Sequence, residues 1–191
     1  MDFSRAPIAR MEALIRDRLR IAFPADAIGI QRVPRMMSLS EFTTLAQMSP
    51  VMGLAWRGMK ADPEAGRRLD GKMRWRLTLI YKAANGADAR FKGDDKGLGL
   101  DAMVDVSMSL LHGWMLPEVG RCTVTRARGA LQRGFTDDTV ALAHIDFKIG
   151  FATPVADYYL LTLQDFRSLA VTWSHDGSPE VFTDTLTQET S

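Results

Sequence analysis

The feature that most constrains the fold is the segment 99–151, in which one amphipathic helix is followed by two strand-like stretches. Apolar residues recur at helical spacing from about Leu100 and stop at His112 and Gly113, where a glycine suits a left-handed helix cap. Residues 139–151 then alternate apolar and polar side chains, which is typical of a strand with one buried face. This segment predicts a helix packed on an antiparallel sheet.

Similar patterns predict the remaining elements. Helical spacing predicts a first helix over residues 4–22, and a capping box at Ser38 and Glu41 predicts a short second one. Strands are expected around residues 28–33, 51–56, 72–82 and 119–128, with loops at 57–71, 83–99 and 129–138. Together they predict an α+β domain over residues 1–151, with a central, mostly antiparallel sheet of about four to five strands packed by two main helices.

Residues 152–191 carry a weaker pattern and are predicted to form a C-terminal extension or arm. Its aromatic side chains lie in a segment too short to hold a core of its own. We therefore expect the extension to lie over the domain or over a neighbouring subunit. The candidate intersubunit contacts are Tyr158, Tyr159, Phe166 and Trp173.

Composition narrows the class of protein. The 191 residues include 46% apolar and 25% charged side chains, which is close to the globular average. The net charge of +1 gives no bulk attraction for nucleic acid or anionic lipid. Cys122, the single cysteine, has no partner for an internal disulfide, which fits a reducing cytoplasm. No apolar run approaches the roughly 20 residues that span a bilayer, so we expect neither a signal peptide nor a membrane contact.

The sequence offers little recognisable chemistry. His112, His144 and His175 lie far apart without metal-ligand spacing, and Cys122 falls in a predicted strand without a nearby histidine. The glycine-rich loop at residues 93–99 resembles a phosphate cradle, but Asp94 and Asp95 would repel an anion there. We therefore predict no catalytic, cofactor-binding or metal site. His112 is expected to cap a helix, and Cys122 to be a small buried side chain.

Basic side chains give the one candidate surface. Arg74, Arg76 and Lys82 share one face of a predicted strand, and Arg126 and Arg128 share a face of another. If the two strands lie close together, these residues form a local positive patch, a candidate interface or channel surface. The alternative is an ordinary sheet face laced with salt bridges. Direct readout of nucleic acid is not indicated, because the aromatic residues alternate toward the core instead of interleaving with the arginines.

The order of these elements, with Leu111-His112-Gly113-Trp114 between a helix and a hairpin, resembles the tail terminator or minor tail proteins of long-tailed bacteriophages, including the Mu-like branch. The resemblance covers about residues 8–151. Pro50-Val51 at the entry to one strand and Trp75-Arg76-Leu77 within another also match it. The C-terminal extension is longer than in the compact members.

This resemblance implies a structural virion protein that forms a ring, usually of six subunits. Such a ring caps the finished tail tube, stops its polymerisation and presents a surface for the head-neck connector. The implied partners are further copies of the chain, the tail tube protein and the connector protein, and DNA passes through the channel without sequence-specific contact. The implied location is the tail of the virion, after synthesis in the cytoplasm of the bacterial host.

Two other classes of function stay open. One is a small hydrolase that uses Asp94, Asp95 or His144. The other is a monomeric nucleic-acid-binding module whose basic strand faces contact the phosphates.

Overall fold

A computed structural model describes the backbone of residues 7–64, 69–95, 97–116, 120–130, 137–153, 168–173 and 182–187. The helices are α1 (Pro7–Arg20), α2 (Leu39–Gln47), α3 (Ala87–Lys92) and α4 (Gly99–Leu111). The strands are β1 (Gly29–Arg32), β2 (Val51–Ala61), β3 (Leu69–Lys82), β4 (Met115–Leu116), β5 (Gly120–Gly129), β6 (Val140–Thr153), β7 (Ser168–Trp173) and β8 (Phe182–Thr187).

Six of these strands form one mixed sheet in the order β1-β2-β3-β6-β5-β4. β1 runs parallel to β2, and every other neighbouring pair in this sheet is antiparallel. The α+β class and the mostly antiparallel sheet are thus confirmed. The sheet has one strand more than the upper expectation because β4 spans two residues, too few to show an alternating pattern.

The inner face of the sheet carries the main core, beneath α1 and α4. Alternate residues of β3 and β6 point into it, as their apolar spacing predicts. Trp75 and Phe147 are each 1% exposed. The fully or nearly fully buried members include Met11, Ile15 and Leu19 of α1, Met103 and Leu111 of α4, Met73, Leu77 and Leu79 of β3, and Ile145 and Ile149 of β6.

The outer face is covered at one end by α2. The predicted capping box is present, because Ser38 Oγ accepts from the backbone N–H of Glu41 while the Glu41 carboxylate accepts from the Ser38 backbone N–H. Phe42 and Leu45 of this helix are buried in a second apolar cluster. The strands contribute Val51, Ala55, Ile80 and Leu142 to it.

The end of α4 is fixed by the next strand pair. Gly113 adopts a φ of 79°, the left-handed conformation that the sequence predicts for a helix stop, and His112 occupies the C-cap position. The Gly113 N–H donates to the Cys122 carbonyl at 3.0 Å, and the Cys122 N–H donates to the Trp114 carbonyl at 2.8 Å. The Arg18 guanidinium lies 5.7 Å from the centre of the Trp114 ring. These contacts tie α1, α4 and β5 together.

Two of the predicted loops are wrong in part. Residues 57–71 were expected to form one exposed loop, but β2 continues to Ala61 and pairs with β3 through Ala61↔Gly71. A bulge at Arg57 interrupts the alternation, so the continuation of the strand is hidden in the sequence. Residues 83–99 were likewise expected to be loop, yet they contain α3, a helix of six residues.

The C-terminal residues that the structure describes form a hairpin. β7 and β8 pair antiparallel from Ser168↔Thr187 to Trp173↔Phe182 and make a separate two-stranded sheet. Trp173 of the predicted arm is thus the last residue of β7. Tyr158, Tyr159 and Phe166, the other predicted arm residues, lie outside the described residues.

Candidate interaction surface

The part of the outer sheet face that α2 leaves uncovered is rich in arginine. β3 and β5 lie on either side of β6, so side chains on equivalent rows of these two strands are about 10 Å apart. The structure therefore brings Arg74 and Arg76 onto the same face as Arg126 and Arg128. We define the basic face as Arg57, Arg74, Arg76, Arg126, Arg128 and Lys148.

A bulge in β5 explains how the two arginines of that strand reach the outer face. Val124 pairs with Phe147 and packs against the core, whereas Arg126 pairs with Asp146 and Arg128 with His144. Strict alternation from Val124 would turn both arginines inward. Thr125 is the extra residue, and its Oγ1 donates to the Asp146 carbonyl at 2.9 Å. The bulge thus restores the register that keeps both guanidinium groups outside.

Arg76 and Asp146 form the centre of the basic face. Nε of Arg76 donates to Oδ1 of Asp146 at 2.7 Å, and Nη2 donates to Oδ2 at 2.8 Å. Their side chains are 17% and 25% exposed. Burial raises the pKa of Asp146, but the hydrogen bonds and charge of Arg76 act in the opposite direction and leave the pKa below its usual value.

The carboxylate of Asp146 is surrounded by several cations on the basic face. Burial is the largest cause that lowers the pKa of Arg57, followed by the positive charges of Arg76 and Arg35. The Arg57 guanidinium donates to the Arg35 carbonyl at 3.0 Å. A depression of about 280 Å³ lies here, lined by Arg35, Arg57, Arg74, Trp75, Arg76, Thr125, Asp146, Phe147 and Lys148. The arrangement suits an anionic partner.

His144 borders the basic face without joining its ion pair. Nδ1 of His144 lies 3.2 Å from Oγ1 of the buried Thr78, while both carboxylate oxygens of Asp146 bind Arg76. Burial lowers the pKa of His144 to about 4, with further lowering from the charges of Arg76 and Arg128. The imidazole is therefore neutral at pH 7.

Lys82, the fifth residue of the predicted patch, lies elsewhere. It is the last residue of β3, and the buried Thr78 and Ile80 separate it from Arg76 along the strand. Its Nζ forms an ion pair with Asp137 at 3.0 Å. Arg57 and Lys148, which sequence reasoning missed, take part instead. Arg57 lies in a predicted loop, which hid it. Lys148 lies on the polar side of β6, and the alternation of that strand is the sequence signal that could have identified it.

The residues of the hydrolase hypothesis are placed in different surroundings. Asp94 lies in the turn before α4, where its carboxylate accepts from Asn85 Nδ2 at 3.1 Å. It lines a cavity of about 470 Å³ together with Tyr81 and Lys82. His144 lines a different depression, beside Phe91 and Arg128. Among the described residues, no three His, Cys, Asp or Glu side chains are grouped to hold a metal ion.

The two edges of the main sheet differ. At the β1 edge, guanidinium groups of α1 bind two carbonyls, because Arg16 donates to the Ile30 carbonyl of β1 and Arg20 donates to the Ile28 carbonyl just before it at 2.6 Å. At the other edge, β4 pairs with Gly120 and Arg121 alone. Residues 125–129 of β5 are exposed, and no strand in the described part of the chain pairs with their outer side.

The N–H and carbonyl of Ala127 point away from the sheet. The Ala130 N–H donates to the Leu142 carbonyl at 2.9 Å, which places the pairs Arg128↔His144 and Arg126↔Asp146 in the hydrogen-bonded positions of the ladder. Ala127 lies between them and thus offers its backbone groups to a further strand.

Comparison with solved structures finds a likeness of backbone to a virion protein. A chain from the virion of a native gene transfer agent (GTA) particle is 13% identical, with a TM-score of 0.45; the match covers 78% of this chain and 99% of that one. No protein-family model matches the sequence, and no curated protein matches it either. Within the described residues, no helix has the length and apolar character needed to cross a membrane.

Proposed function

We propose that this chain is a structural virion protein that assembles with copies of itself into a ring, in the role of a phage tail terminator. The order of elements that the sequence shares with tail terminators supports the proposal. The observation that carries it is the exposed edge at residues 125–129, with which no strand among the described residues pairs, in a sheet whose other edge has two carbonyls bonded by arginines of α1.

The available edge can join copies of the chain in two ways. A two-fold dimer joins the same surface patch of both subunits, whereas a ring joins two different surfaces head to tail. Exposed sheet edges invite pairing with another chain, and proteins normally cover or break them. In the described part of the chain, β5 is the available edge, and pairing of β5 with β5 would close a two-fold dimer. The proposed ring therefore requires each subunit to pair β5 with a different surface of the next copy.

In this role the protein works by binding, and the proposal assigns it no catalysis. One side of the ring would contact the last ring of tail tube protein and stop its polymerisation. The other side would receive the head-neck connector. The channel would let DNA pass without sequence-specific contact, and the protein would be part of the virion tail after synthesis in the bacterial host.

The test uses Ala127→Pro, which removes the outward N–H while sparing the ladder to β6. Ala127→Val is the matched control, because it keeps the N–H and suits a strand. We expect the wild type and Ala127→Val to form rings in negative-stain images and to cap tubes assembled from the phage's tube protein, whereas Ala127→Pro does neither despite normal folding. Uncapped tubes with wild-type protein would contradict the terminator role.

The basic face supports a second candidate, a nucleic-acid-binding module. Its cations are suited to phosphates, and binding through them would weaken steeply as salt rises. The aromatic residues that line the depression, Trp75 and Phe147, are each 1% exposed and thus offer no stacking platform to a base. Titration of the wild type with duplex DNA at several salt concentrations tests this candidate. The nucleic-acid-binding candidate predicts that a monomer binds duplex DNA tightly.

A further inference from the structure

Charge is divided unevenly along this chain. Residues 152–191 contain six acidic residues and one arginine, a net charge of −5, whereas residues 1–151 carry +6. The acidic residues are Asp157, Asp165, Asp176, Glu180, Asp184 and Glu189. The net charge of +1 thus combines two segments of opposite charge. Such segments attract each other, whether they belong to neighbouring copies or to one chain.

The positive side of this division is concentrated at one surface. The basic face gathers five arginines and Lys148, and Asp146 is already held by two hydrogen bonds from Arg76. Arg126 and Arg128 are exposed and adjoin the β5 edge, with which no described strand pairs. An acidic segment on this face would meet both the cations and an edge able to accept a strand.

The C-terminal hairpin has the right form for such an edge. β7 and β8 are six residues each and pair with one another. A two-stranded hairpin is marginally stable alone, and further strands stabilise it. The available edge of β5 is of similar length, and Asp184 lies within β8. Strand addition at an edge supplies affinity through backbone hydrogen bonds.

We infer that the acidic C-terminal segment of one copy docks on the basic face and the β5 edge of a second copy. This inference rests on the proposed ring and names the contact that joins its subunits. Charge complementarity selects the partner surface, and the hairpin adds strands to the sheet of the neighbour. This docking gives a role to the C-terminal extension, which is longer than in the compact tail terminators that the sequence resembles.

Two full-length variants with reversed charges test the docking. The face variant carries Arg74→Glu, Arg126→Glu and Arg128→Glu, and the arm variant carries Asp176→Lys, Glu180→Lys and Asp184→Lys. Lys92→Glu is the control, because Lys92 is exposed on α3 outside the basic face. Molar mass by light scattering and native mass spectrometry is the readout, and circular dichroism verifies folding.

Each variant alone should assemble much more weakly than the wild type, because its face and its arm then carry like charges. The concentration for half-assembly should rise by about tenfold or more in each, and added salt should weaken wild-type assembly. Lys92→Glu should assemble as the wild type does. A 1:1 mixture of the two variants should restore oligomers in which both alternate, since each arm then meets a face of opposite charge.

The mixture separates docking between copies from docking within one chain. If the arm docks on its own chain, mixing restores nothing, and the inference is overturned. It is also overturned if the face variant forms normal rings, although the proposed ring then stands. If loss of the arm charges strengthens binding to duplex DNA without affecting assembly, the basic face serves nucleic acid instead. A wild type without rings would overturn the proposed function itself.

Discussion

Arg76 and Asp146 face each other across β3 and β6 and are joined by two parallel hydrogen bonds of 2.7 and 2.8 Å. Bulges flank this pair on the neighbouring strands, at Arg57 in β2 and at Thr125 in β5. Asp146 supplies a local negative charge on a face otherwise rich in arginine. It therefore stabilises the arrangement of cations on which the proposed contact depends.

The first prediction concerns the energy of this pair. Asp146→Ala leaves Arg76 beside Arg57 without its counter-charge and should lower the free energy of unfolding by about 1–3 kcal/mol. Arg76→Ala should also destabilise. The double variant should lose less than the sum of the two, with a coupling energy of about 1–2 kcal/mol. Urea unfolding of the four proteins measures it, and additive losses would show that the pair contributes nothing.

The second prediction concerns acid sensitivity through His144. Its pKa is about 4 in the folded protein, below the ordinary value of 6.5, because burial disfavours the imidazolium. Between those two values the unfolded chain binds more protons, so stability present above pH 6.5 is lost as the pH falls toward 4. His144→Asn should flatten this dependence of the free energy of unfolding. The same slope in wild type and variant would contradict the prediction.

Carboxylates with lowered pKa values act in a different pH range. The hydrogen bonds from the Thr139 side chain and backbone, followed by that from Lys82, lower the pKa of Asp137 to about 2. The contribution of Asp137 to the free energy of unfolding is lost below pH 3.8, as the pH falls toward 2. Measurements between pH 4.5 and 6.5 therefore isolate the contribution of His144.

The third prediction concerns Cys122, which the structure buries completely, as the sequence predicts. Burial raises the pKa of its thiol to about 12, so almost no thiolate exists at neutral pH. Iodoacetamide should leave the native protein unmodified and should label Cys122 as urea unfolds it. Rapid labelling without denaturant, followed by mass spectrometry, would contradict the burial.

The fourth prediction concerns the C-terminal segment. Among the residues whose burial the structure describes, the buried members of both apolar clusters lie between Met11 and Phe151, so a chain that lacks residues 154–191 should keep its fold. Its ring assembly should weaken, because the arm is absent. Thermal unfolding checks the fold, and light scattering checks the assembly. A truncated chain that assembles normally would exclude the arm as the joining contact.

Much of the fold was predictable because each main element is strongly amphipathic, with one apolar face. β3 and β6 alternate without interruption, and α1 and α4 show clear helical spacing, so their apolar residues identify the core. The capping box at Ser38 and the glycine at Gly113 mark helix ends, and both signals are local, so the sequence shows them directly. These features depend on neighbouring residues.

The basic face was predictable in part. Alternation placed Arg74 and Arg76 together, but it also added Lys82, because periodicity cannot show that α2 covers Ile80 between them. The bulges were hidden, since one extra residue in a strand leaves no mark of its own in the sequence. Without the bulge in β5, Arg126 and Arg128 follow Val124 to the core face. Strand order, which brings β5 beside β6, depends on contacts distant in the chain.

The central claim is that copies of this chain close into a ring. Molar mass in solution, measured over a hundredfold range of concentration together with negative-stain imaging, tests it most directly. We expect one fixed multiple of the subunit mass, with a pore at the centre of each particle, and dissociation at high salt. A strict monomer at every concentration, or a two-fold dimer without a pore, would contradict the claim.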